Sequence, residues 1–110
     1  MKKDPTIFLH HILESISLAE GYLREISQEE FLKDLVRQDA VIRRIEIMGE
    51  AVKNIPEDIK KKHPFIPWKK IAGMRDKIIH EYFGIDLKLV WNVAQKDLPL
   101  LKKQIQELLS

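Results

Sequence analysis

Three features of this 110-residue chain predict an all-α fold, an up-and-down bundle of four main helices plus a short one. Apolar residues recur at alternating spacings of four and three, the period of one helix face. Capping and breaking residues stand at the ends of those stripes. No stretch alternates apolar and polar residues as a half-buried strand would.

The first helix opens at Asp4-Pro5, where an acceptor side chain precedes a proline whose missing N–H costs nothing in a first turn. Ile12, Ile16, Ala19, Leu23 and Ile26 draw its stripe. Ser27-Gln28-Glu29-Glu30 is a capping box that starts a second helical region. Val41, Ile45, Met48, Val52 and Ile55 are the regular part of that region, and Pro56 ends it. Gly49 lies inside it. Because a mid-helix glycine costs about 1 kcal/mol relative to alanine, it suggests a close approach of two helices.

Residues 56–67 hold Pro56, Pro64 and Pro67, and read as a short helical turn at 57–62 followed by a loop. The next helix is expected from Trp68 to Tyr82, with Gly84 as its C-terminal cap. Asp86 caps the last helix, whose stripe is Leu87, Trp91, Ala94, Leu98, Leu101, Ile105 and Leu108. Pro99 should kink or split that helix, since it deletes a backbone hydrogen bond and crowds the preceding turn.

The length suits a single domain over residues 1–110, large enough for a modest core that a second copy would help to stabilise. The absence of cysteine removes disulfide and thiolate chemistry and fits a cytoplasmic setting. No apolar run approaches the roughly 20 residues that span a bilayer, so no membrane association is expected. Met1-Lys2-Lys3 is basic but lacks the apolar core of a signal peptide.

Charge is unevenly spread. From Glu14 to Asp39 there are seven acids against three bases, and from Lys60 to Lys77 seven bases against Asp76 alone. The basic stretch can attract a polyanion, or it can be a solvated loop and helix face.

That stretch runs into Arg75-Asp76-Lys77-Ile78-Ile79-His80-Glu81-Tyr82. On an unbroken wheel, Trp68, Ile71, Ala72, Ile78, Ile79 and Tyr82 share one face with Arg75 at its centre. A buried unpaired guanidinium is very costly. Arg75 therefore needs an acid partner, with Glu50 one candidate, or its face opens onto a cleft or a second subunit. His80 lies about 140° round from Arg75, so the two do not share a face. Arginine offers a permanent forked cation for phosphate oxygens, and histidine exchanges protons near neutral pH. RNA cleavage uses both. His10, His11 and His63 lack the spacing of zinc ligands, and His11 beside Glu14 reads as a surface pair.

The arrangement Arg75-x4-His80-x-Tyr82 resembles the Arg-x4-His-x-Tyr signature of the HepT-like toxins in the HEPN superfamily. The similarity covers nearly the whole chain. It includes Asp39-Ala40-Val41, Ile47-Met48-Gly49-Glu50-Ala51, Ile66-Pro67-Trp68, Ile71-Ala72-Gly73-Met74-Arg75-Asp76, His80-Glu81-Tyr82-Phe83-Gly84 and Val90-Trp91. The resemblance implies a homodimeric helical bundle that is the toxin of a type VII HEPN/MNT toxin–antitoxin system. It implies an endoribonuclease that needs no metal or other cofactor, with Arg75 and His80 catalytic at a cleft between two subunits. An MNT-type nucleotidyltransferase antitoxin would silence it by AMPylating Tyr82. Related HEPN domains also serve as non-catalytic substrate-binding or scaffold subunits of nucleotidyltransferases, which is the alternative reading.

Overall fold

The computed structural model describes residues 4–79 and 86–110, with Arg75 and Ile79 described by their backbone alone. All regular structure among the described residues is helical. In chain order the helices are α1 (Thr6–Tyr22), α2 (Gln28–Phe31), α3 (Leu35–Lys53), α4 (Glu57–Lys62), α5 (Trp68–Ala72), α6 (Met74–Ile79), α7 (Leu87–Asn92) and α8 (Leu98–Leu109), with a π-helical turn, Val93–Asp97, between the last two. The all-α bundle is as expected. Two boundaries differ, each for a local reason.

The second helical region is two helices. The Ser27 capping box forms, with Ser27 Oγ accepting from the Glu30 N–H at 3.1 Å and Glu30 Oε1 from the Ser27 N–H at 3.0 Å. The chain then tightens, Lys33 and Asp34 donating to carbonyls only three residues back. Asp34 restarts it by accepting the Arg37 N–H at 3.1 Å. Hydrogen bonds from the Arg37 backbone and side chain hold the Asp34 carboxyl below the usual carboxylate range. Arg37 Nε also donates to the Tyr22 carbonyl at 2.8 Å, tying the end of α1 to the start of α3.

The expected helix from Trp68 is broken at Gly73, whose ψ of −3° departs from helical geometry and separates α5 from α6. Its expected end at Tyr82 and the Gly84 cap lie outside the described residues. The last helix divides as the proline predicted. The π-helical turn precedes Leu98-Pro99, so the ladder widens where Pro99 would crowd the carbonyl a turn back. Asp86 caps α7, accepting the Leu89 N–H at 3.0 Å.

The core follows the stripes. Ile12, Ile16 and Ala19 of α1 with Leu23 just beyond its end, Val41, Ile45, Met48 and Val52 of α3, and Leu98, Leu101 and Ile105 of α8 are all buried. Helix α3 is central, packing against α1, α2, α5, α6 and α7. Helix α8 lies on α1, and Lys102 Nζ meets Glu20 Oε1 at 2.8 Å across that seam.

Gly49 marks the close approach that its position suggested. A Cβ there would stand 3.4 Å from the Ala72 carbonyl oxygen and 3.7 Å from that of Ile71. This contact seats the α5–α6 segment on α3. We expect Gly49→Ala to be accommodated, since a Cβ there meets both carbonyls at van der Waals distance, and to gain up to about 1 kcal/mol from helix propensity. Gly49→Val drives a branched side chain into backbone and should cost roughly 1–3 kcal/mol in denaturant unfolding. Equal stability of the two variants would contradict this packing.

Candidate active site at the α5–α6 segment

The candidate residues begin with Arg75 on α6, two residues beyond the Gly73 break. Two anchors orient that helix. Met74 is 5% exposed and Ile78 is fully buried, while Asp76 and Lys77 face solvent. Upstream, Trp68 and Ile71 are buried, and Trp68 Nε1 donates to the His63 carbonyl at 3.0 Å. The rigid base under the site is therefore the α3–α5 contact and the indole bond, and α6 carries Arg75 from there.

The turn at Gly73 interrupts the expected wheel, whose described members Trp68, Ile71 and Ile78 are buried. The buried stripe of α6 runs through Met74 and Ile78, and at about 100° per residue the backbone position of Arg75 stands roughly 80° from its centre. Met74, which the unbroken wheel left off the apolar face, occupies the core. At the level of the backbone, position 75 lies beside the line from Met74 to Ile78. The Arg75 side chain, His80 and Tyr82 lie outside what is described, as does any pairing of Arg75 with Glu50. Glu50 itself is 67% exposed at its side chain and lies 3.5 Å from Lys53 Nζ.

His11 is exposed on α1 and makes no ion pair with Glu14. It lines an open groove with Arg43, Glu46 and Glu50 of α3. The His63 ring meets Phe65 edge-on at 5.8 Å. Among the described residues, no three histidines or carboxylates converge in a way that could hold a metal. No helix among them is long and apolar enough to cross a membrane.

The basic stretch resolves into separate roles. Lys70 pairs with Asp97 of the π-helical turn at 3.8 Å, and Lys60 with Glu57 at 3.7 Å. Lys61 and Lys69 are exposed and have no ion pair among the described residues.

Comparison with known proteins bears on what this segment does. The family model described as ribonuclease HepT-like matches residues 12–108. The chain is 49% identical over 108 residues to a Thermococcus cleftensis protein named, provisionally, ribonuclease HepT, covering 98% of each chain. It is 47% identical over 107 residues to a Caldanaerobacter subterraneus subsp. tengcongensis protein named, provisionally, an RNase, covering 97% of this chain and 96% of that one. It is also 50% identical over 109 residues to a Methanocaldococcus jannaschii protein named a gamma-glutamylcyclotransferase and, provisionally, an RNase. That match covers 99% of this chain and 49% of the relative, so the chain spans about half of its length. No solved structure matches the chain.

Proposed function

Since the chain belongs to the HepT-like ribonuclease family, we propose that it is an endoribonuclease, the toxin of a type VII HEPN/MNT toxin–antitoxin system. The observation that carries this reading is an intact Arg75-x4-His80-x-Tyr82 within a family match over residues 12–108.

In this reading two copies of the chain form a cleft, and each contributes one Arg75 and one His80. One imidazole removes the proton of a ribose 2′-OH, and the freed oxygen attacks the adjacent phosphorus. The P–O5′ bond breaks, and the second imidazole, protonated, gives its proton to the departing 5′ oxygen. Arg75 offers its forked cation to the non-bridging oxygens, where negative charge grows in the transition state. The products are a 2′,3′-cyclic phosphate and a 5′-hydroxyl. No water and no metal enters the step.

Tyr82 is the proposed switch. Seven residues from Arg75, it would share its side of a continuing helix. An AMP attached to its hydroxyl by an MNT-type nucleotidyltransferase adds bulk and negative charge where the RNA phosphate would sit.

Expression in a host cell tests this directly. The chain alone should arrest growth, and co-expression of the cognate nucleotidyltransferase should relieve the arrest with an AMP adduct mapped to Tyr82. Tyr82→Phe should remain toxic and escape silencing. An adduct elsewhere with Tyr82 unmodified overturns the switch. Stable association with the nucleotidyltransferase but no RNA cleavage would favour the scaffold reading instead.

A further inference from the structure

Four lysines from three helices line one groove. Lys53 ends α3, Lys60 and Lys61 stand in the last turn of α4, and Lys69 lies in α5. Pro64, Trp68 and Ala72 give the groove, about 330 Å³ in volume, its apolar lining. Glu57 is its single acid, so the lining carries four positive charges less one negative, a net +3. Glu57 lies near Lys60, and Glu50, just outside the groove, lies near Lys53, leaving Lys61 and Lys69 as the cations in the groove that no described acid neutralises.

The groove adjoins the proposed catalytic segment. Ala72 lines it, and Arg75 follows three residues later, within about one helical turn. A strand lying in the groove would thus lead towards α6. Lysine suits a phosphate backbone as a mobile point charge that needs no fixed geometry. Apolar surface beside the lysines fits sugars and bases between the phosphates.

We propose that the Lys53–Lys60–Lys61–Lys69 groove holds backbone phosphates of single-stranded RNA, a short distance along the strand from the bond that is cut. This deepens the ribonuclease reading and rests on it for the direction in which the strand runs. A competing role exists for each lysine singly. All four stand in the last turns of their helices, where a cation complements the helix dipole. That role predicts a change in stability on removal, and the phosphate role predicts a change in salt-dependent binding.

The test uses the whole chain and a 2′-O-methyl oligoribonucleotide, which binds but offers no 2′-hydroxyl for cleavage. Lys61→Gln/Lys69→Gln should bind it several-fold more weakly at equal thermal midpoint. The slope of log affinity against log salt should fall by about 0.7 per lost phosphate contact, about 1.4 in all. A folded double variant with unchanged affinity and slope overturns the groove, as does an effect confined to the thermal midpoint, and either result leaves the ribonuclease reading standing. Wild-type protein that binds the oligonucleotide through these lysines yet cuts no unmodified RNA supports the groove and sinks the catalytic reading.

Discussion

Arg75→Ala and His80→Ala are each expected to slow RNA cleavage by roughly 100- to 10,000-fold, the range for losing a general acid or base or a preorganised charge. Helix content and unfolding midpoint should stay close to wild type. For Arg75 there is a structural reason. Met74 and Ile78 fix α6 in the core, and position 75 stands to the side of their stripe. Arg75→Lys separates charge from geometry. It keeps the cation but loses the fork that grips two phosphate oxygens, and should recover only part of the rate. Cleavage rates on one RNA, measured beside thermal unfolding of each variant, decide the matter. Wild-type rates in both alanine variants would remove the pair from catalysis.

The largest effect on stability is expected at Phe31. Its side chain is completely buried, with its ring 5.6 Å from that of Trp91 and tilted by 40°. Its carbonyl accepts a 2.9 Å hydrogen bond from the buried Gln38 amide. Helix α2 is four residues long and cannot stand by itself, so Phe31 is what fastens it to α3 and α7. Phe31→Ala should cost about 3–5 kcal/mol in denaturant unfolding, a large share of the roughly 5–15 kcal/mol that holds such domains together. Phe65 is a control of the same residue type. It is 55% exposed, and its truncation should change stability by no more than about 0.5 kcal/mol. Similar costs at the two positions would contradict the core described above.

The comparison of Phe31 with the stripes shows what was legible in the sequence. Val41, Ile45, Met48 and Val52 are all buried, because a four-three period on one continuous helix leaves little freedom in which face turns inward, and Ile55 just past its end is buried with them. Phe31 sits on a helix too short to show a period, and its partner Trp91 is sixty residues away. Local capping chemistry was equally readable at Ser27 and Asp86, since it involves neighbours three residues apart. Asp34 was not singled out, and with it went the division of α2 from α3.

The candidate site shows the same limit. Arg75, His80 and Tyr82 stand out by residue type and spacing, and all three lie within the residues that the family model matches. The wheel that placed Arg75 at the centre of an apolar face assumed an unbroken helix. One glycine with ψ near zero interrupts that helix, and Met74 just beyond it is buried. The lysine groove was half legible. Lys60-Lys61-Lys62 is conspicuous as a run, but Lys53 and Lys69 join it only when three helix ends meet in space.

The central claim is that this chain cuts RNA through the 2′-hydroxyl beside the bond that breaks. The most direct measurement is the chemistry of the ends produced when the purified protein, in excess chelator, is given an RNA and its 2′-O-methyl counterpart. Only the unmodified RNA should be cut, leaving 2′,3′-cyclic phosphate and 5′-hydroxyl termini. Cleavage of the methylated strand, 5′-phosphate termini, or no cleavage of either strand would contradict it.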